Sequence, residues 1–301
     1  MARINRDRFA AVNIHWRLYP FERFLETQRE LGFKTIELWA GAPHFLLGHE
    51  ECQDSLGLKK TIEGYGLKAA VFTPECVTYP YPICADGEDS VRRTEAYYVN
   101  AIRAAEKLGV SVMPVSCAGA LKNEDPRAAF DRAVKMLRKL SDAAGQSGVC
   151  LAVETLPSIS APIINTLPEL KDLLEAVGSS SVKACMDICS VRTAGETIPE
   201  WFDTLGSGIR HIHFTDGRPA GRMVWGQGLH PLDEYVEEIV SRGYEGYLGL
   251  NINVRGNWFD PSLLDDRKGF TGTDFYPDNY WFAPAAADAE NVRMLAPYME
   301  D

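Results

Sequence analysis

Three apolar runs in this chain end on side chains that can hold a hard cation. Val149-Cys-Leu-Ala-Val-Glu154 and Val182-Lys-Ala-Cys-Met-Asp187 each close on a carboxylate, and Ile209-Arg-His-Ile-His-Phe-Thr-Asp216 carries an imidazole near its exit. A carboxylate in such a run is costly to bury unless it is paired or binds a cation. At the exits of three successive strands of a parallel barrel, Glu154, Asp187 and His213 would converge on one point. Two carboxylates would serve an oxygen-preferring divalent cation and one imidazole would fix its geometry. His211 and His213 share one face of their strand. Only His213 lies near the exit, so it is the expected ligand, with His211 a satisfied imidazole behind it.

The elements that must position these groups recur with a regular beat. Apolar runs at 9–14, 35–40, 68–73, 110–117, 149–155, 182–188, 209–215 and 247–252 read as eight strands buried on both faces, as parallel strands are. Helix-period segments alternate with them, over 21–31, 89–108, 125–144, 167–177, 199–205, 231–242 and 285–298. A shorter helix between Gly48 and Gly66 is announced by Asp54-Ser55, and Gly109 reads as a C-cap. This is the grammar of a single α/β domain over residues 1–301, a (β/α)8 barrel. A doubly wound open sheet would usually carry a glycine-rich turn after its first strand, and here that strand runs into Asn13-Ile-His-Trp-Arg17. The stretch 254–288, rich in aromatic residues, is too long for a plain connection. It is expected as an insertion over the barrel mouth.

In such a barrel, chemistry gathers at the C-terminal strand ends. Asn251 ends the eighth strand. His44, in the loop after the second strand, is a candidate proton carrier. Glu75, Tyr79, Trp39, Ser190, Arg222 and His230 are expected to contact substrate. Tyr79, Tyr81, Trp16, Trp39 and Trp225 suit stacking on a sugar ring, a role that an ordinary apolar lid would fill equally well. Glu37 can point into the barrel, either toward substrate or into a salt bridge on the barrel floor.

A net charge of −11 over 301 residues leaves no basic footprint for nucleic acid. No run of 18 apolar residues could span a membrane, and no apolar segment follows the charged N-terminus. The seven cysteines include no CxxC pair, so free thiols and a cytoplasmic setting are expected.

The order Glu154, Asp187, His213 resembles the xylose-isomerase-like TIM barrels, and within them the sugar epimerases, among which fructoselysine 3-epimerase and the ketose 3-epimerases are nearest in pattern. The resemblance is carried by Thr35-Ile-Glu-Leu-Trp-Ala-Gly-Ala-Pro-His44, Thr73-Pro-Glu-Cys-Val-Thr-Tyr-Pro-Tyr-Pro82, Met186-Asp-Ile-Cys189, Arg210-His-Ile-His213 and Arg242-Gly-Tyr-Glu-Gly-Tyr247. It implies a divalent metal, Mn2+ first with Mg2+ or Co2+ as substitutes, held by Glu154, Asp187, His213 and Asn251. In the family pattern a glutamate stands where this chain has Asn251. An amide oxygen can still ligate, but it is no base at neutral pH. Gln227 likewise stands where that branch tends to be acidic.

The first functional expectation is a sugar or keto-sugar epimerase or isomerase. Glu154 would move a proton beside a metal-bound carbonyl, and His44, Glu75, His230 or a water on Asn251 would serve the other face. The alternative takes Asn251 at face value: a one-base β-elimination on a keto-sugar, as in inosose dehydratases or the larger subunit of C-glycoside deglycosidases. A barrel that binds sugar without turnover ranks third, and a DNA-repair endonuclease is disfavoured because the ligands of a trinuclear zinc site have no matches. The expected partner is a small sugar or glycoside, with a homo-oligomer as the assembly, or a small second subunit in the deglycosidase case.

Overall fold

A computed structural model describes residues 2–77, 80–218, 221–252 and 284–301 of the chain. Eight strands pair in parallel: Phe9–Val12 (β1), Thr35–Ala40 (β2), Lys68–Pro74 (β3), Val112–Ser116 (β4), Cys150–Glu154 (β5), Val182–Asp187 (β6), Ile209–His213 (β7) and Tyr247–Leu250 (β8). Their order is β3-β2-β1-β8-β7-β6-β5-β4, and β3 packs beside β4 at the seam, giving a nearly closed barrel. Every residue of β1 and β2 is buried, as strands covered on both faces require.

The helices are Phe21–Glu30 (α1), Ser55–Gly64 (α2), Glu88–Leu108 (α3), Pro126–Gln146 (α4), Leu167–Val177 (α5), Ile188–Thr193 (α6), Ile198–Leu205 (α7), Leu232–Ser241 (α8) and Pro284–Leu295 (α9). Local sequence sets their ends. Thr166 with Glu169, and Thr197 with Glu200, form reciprocal caps on α5 and α7, each with proline in the first turn. Asp125 caps α4 ahead of Pro126. Gly109 closes α3 in the left-handed conformation, where a side chain would be strained.

Three departures from the expected elements bear on the site. The sixth strand stops at Asp187 rather than Ile188, because Asp187 is also the N-cap of α6, its Oδ1 accepting the Ser190 amide at 2.7 Å. The eighth strand stops at Leu250, where the Ile252 amide turns back onto the Leu250 carbonyl. A small antiparallel hairpin that the sequence did not announce, Asp216–Arg218 with Gly221–Met223, rises from the end of β7. Of the expected insertion, residues 254–283 lie outside the described residues, as does Tyr79, while residues 284–288 already belong to α9. All seven cysteines are free, five of them buried.

Candidate metal centre

Strand register brings the three expected ligands together. In the parallel ladder Asp187 stands opposite His213, and Glu154 opposite Cys185, two residues before Asp187. Neighbouring strands lie about 4.8 Å apart, so side chains leaving these positions toward the axis must meet. One ligand atom from each of Glu154, Asp187 and His213 falls within 4.8 Å of the others, and all three residues are buried. His213 Nδ1 lies 2.9 Å from Glu154 Oε1 and 3.7 Å from Asp187 Oδ2.

The hairpin adds a cation. Arg222 donates from Nε to Asp187 Oδ2 at 2.7 Å and from Nη2 to Glu154 Oε1 at 2.6 Å. What holds the hairpin there is Asp216, whose two carboxylate oxygens accept the backbone amides of Gly217, Gly226, Gly228 and His230. At Gly228 a Cβ would sit 2.0 Å from Asp216 Oδ1, so only glycine lets that amide approach. The sequence flagged Asp216 only as a carboxylate past a strand. The spaced glycines at 217, 226 and 228 were the signal that it knots a loop.

Behind these three residues lies a third carboxylate. Glu37, fully buried on β2, accepts from His213 Nε2 at 3.0 Å, from His211 Nε2 at 2.8 Å and from Thr73 Oγ1 at 2.6 Å. The sequence left Glu37 undecided between substrate and a barrel-floor ion pair, and the structure places it in the ion pair. His211 lies behind His213 but is only half satisfied: its Nε2 donates to Glu37, while its buried Nδ1 has no partner among the described residues.

The electrostatics follow from burial and these contacts. Burial works against a charged Glu154, but His213 and Arg222 overcome it and hold the carboxyl down at about 2. Burial likewise opposes charge on Glu37, and His213 and His211 hold it well below the usual range. His213 is held well above the ordinary histidine value although burial opposes its charge, because Cys185, Glu37 and Glu154 surround it. His211 is pushed down by burial, which outweighs Glu37. The Cys185 thiol, 4.0 Å from His213 Nδ1, is pushed up by burial to about 11.

The donor set fits a divalent cation. Two carboxylates and an imidazole nitrogen converge from three strand ends, the combination such ions take. Within the hydrogen-bonded cluster, Glu37, Glu154 and Asp187 against Arg222 leave two negative charges, which one divalent ion balances when His213 is neutral. Asn251, 7% exposed just past β8, has its Oδ1 buried with no partner among the described residues, as a ligand oxygen awaiting an ion would.

The remaining sequence candidates fall elsewhere on the mouth. His44 has both ring nitrogens engaged: Nδ1 accepts from Asn13 Nδ2 at 2.9 Å and Nε2 donates to the Tyr19 carbonyl at 2.8 Å. Trp39 Nε1 donates to Glu75 Oε2 at 3.1 Å, so those two candidates are bonded to each other, and Glu75 also accepts the Val77 amide. Ser190 sits on the Asp187-capped turn. His230 donates from Nδ1 to the Thr215 carbonyl at 3.1 Å, which leaves its lone pair on Nε2, and burial keeps it neutral. Two contacts were not foreseen: Ser116 Oγ reaches Glu154 Oε2 at 3.4 Å, and Thr73 reaches Glu37.

Known proteins agree with this architecture. Fructoselysine 3-epimerase of Shigella flexneri is 29% identical over 236 residues, covering 77% of this chain and 85% of that protein. The crystal structure of D-psicose 3-epimerase with D-tagatose from Clostridium cellulolyticum H10 superposes with a TM-score of 0.73 at 20% identity, over 94% of this chain and 96% of that one. A 3-keto-D-glucoside 4-epimerase from E. coli gives 0.72 at 15% identity, over 95% and 98%. At such identities the structural likeness speaks for the fold, and the sequence likeness is to sugar epimerases. The model of the xylose isomerase-like TIM barrel matches residues 25–270, most of the chain and all eight strands but the first, and the protein belongs to that family.

Proposed function

We propose that the protein is a divalent-metal-dependent epimerase or isomerase of a ketose or keto-sugar, with Glu154 as the base that takes the proton from the carbon beside the carbonyl. The observation that carries this reading is the buried convergence of Glu154, Asp187 and His213 at the barrel mouth with Arg222 spanning the two carboxylates. The similarity to fructoselysine and D-psicose 3-epimerases supports a sugar as substrate. A bound cation would polarise the carbonyl and an adjacent hydroxyl and so lower the pKa of the intervening C–H.

The residues divide the remaining work. Asp187, Asn251 and His213 hold the ion with Glu154, and the Asp187 carboxylate is itself fixed by the Ser190 amide. His213 and Arg222, the latter donating to both Glu154 and Asp187, keep Glu154 ionised against its burial and therefore able to accept a proton. His230, neutral with its lone pair on Nε2, is in the form a second base needs for the opposite face of a planar intermediate. The amide at Asn251 favours a second reading, elimination by one base with loss of a leaving group.

Incubation with Mn2+ and a panel of ketoses and keto-glycosides in D2O tests both. Reversible epimerisation places deuterium in recovered sugar, whereas elimination yields an unsaturated keto-sugar. Glu154→Gln should lower the rate by about 10²–10⁴-fold, the usual loss of a general base. A variant within a few-fold of wild type would refute the assignment.

A further inference from the structure

We propose that Glu37 is a positioning residue of the cation site, one that fixes which nitrogen of His213 faces the ion; this rests on the metal-dependent reading above. Glu37 is fully buried and does not reach the site itself. Its Oε1 takes the N–H of His213 Nε2 and its Oε2 the N–H of His211 Nε2. Because a carboxylate only accepts, both imidazoles must carry their protons on Nε2. By the same rule Nδ1 donates to Glu154 Oε1 at 2.9 Å while the ring is charged, so an ion among Glu154, Asp187 and His213 would displace the proton on Nδ1, which also lies 3.7 Å from Asp187, and the proton on Nε2 would stay with Glu37. Thr73 donates to the same Oε1 and restrains the carboxylate from its far side. The pleat of β8 leaves room for this arrangement: a Cβ at Gly249 would lie 2.1 Å from Glu37 Oε2 and 2.9 Å from His211 Nε2.

The same trio of Glu37, His211 and His213 could be taken for a second cation site. The geometry points the other way. Each histidine turns toward Glu37 the nitrogen that, in this pairing, bears a hydrogen, and a nitrogen bearing a hydrogen cannot ligate.

Glu37→Gln exchanges one accepting oxygen for an N–H2 group. That group faces an imidazole N–H unless one ring moves its proton to Nδ1. Gly249→Ala is the complementary variant: it keeps the carboxylate and its charge but displaces it by its own methyl group. Mn2+ affinity should be measured by titration calorimetry, alongside the rise in Tm on adding Mn2+. Side-chain 1H–15N spectra of the Mg2+-loaded protein should report the His213 tautomer. Wild type is expected to bind one ion with His213 protonated on Nε2. Both variants are expected to bind Mn2+ about 10–100-fold more weakly, the usual effect of losing a ligand's supporting carboxylate, and the spectrum of Glu37→Gln should show proton density on His213 Nδ1. If either variant folds and binds Mn2+ within twofold of wild type, with the tautomer unchanged, the inference is overturned. Two ions per wild-type chain, the second lost with Glu37, would make Glu37 a ligand and also overturn it. A wild-type chain that binds no cation would overturn the metal reading and this inference together, an outcome distinct from failure of the variants alone.

Discussion

At position 251 the chain has an amide, and its oxygen is buried without a partner among the described residues. That oxygen suits a cation, and the neighbouring nitrogen cannot take a proton. On the proposed reading the consequence is chemical: Glu154 would serve one face of a planar intermediate, and the other would be served from elsewhere or not at all. With His230 as the second base, Asn251→Glu adds a negative ligand without removing any proton route. Mn2+ affinity should then rise by about tenfold, near 1.4 kcal/mol, while epimerisation stays level or improves. If the native reaction is elimination, the same variant should lose it and newly admit solvent deuterium into the sugar. Both activities measured on this one variant separate the two chemistries. That Glu154, Asp187 and His213 come together was legible in the sequence because each lies near the exit of an apolar run. The sequence could not assign Glu37 between two roles, because that depends on which strand β2 faces across the barrel.

The loops that follow β1 and β2 are joined by His44, and here the structure gives a different weight to a residue that the sequence offered as a proton carrier. Its ring accepts from Asn13 on one side and donates to the Tyr19 carbonyl on the other, while Asn13 also takes the Trp39 amide. Burial pushes His44 below the ordinary histidine value, more than the Tyr19 bond raises it. The unfolded chain therefore takes up this proton first as pH falls. The contribution of His44 to stability is complete above about 6.5, its unfolded value, and is lost as pH drops through the folded value. His44→Ala should destabilise by about 1–3 kcal/mol at pH 7.5, the cost of leaving buried partners unpaired. It should also flatten the decline of Tm between about pH 6.5 and 5. A rate loss on the scale of a general base, with Tm unchanged, would instead restore it to catalysis. The strands and most helices were legible because apolar period and caps act locally. The hairpin at 216–223 was not, since its cause is one buried carboxylate gathering four amides from residues up to 230.

Across the whole molecule the barrel works as a device for concentrating charge. Its helices and apolar strands bury a cluster of Glu37, Glu154, Asp187, His211 and His213 that would be untenable without compensation. Arg222 supplies part of that compensation from the hairpin, and a divalent ion would supply the rest. On the proposed reading such an ion would lie at the barrel mouth, where strand ends rather than a loop motif supply the candidate ligands. What stands to be measured is the location of the ion and its coordination set. The most direct measurement is an anomalous-difference map from crystals of the protein grown with Mn2+. A single peak is expected with oxygen atoms of Glu154, Asp187 and Asn251 and Nδ1 of His213 at about 2.0–2.6 Å, the range of such bonds. A peak elsewhere, or one from which Glu154 or Asp187 stands more than about 3 Å away, beyond any such bond, would contradict the account.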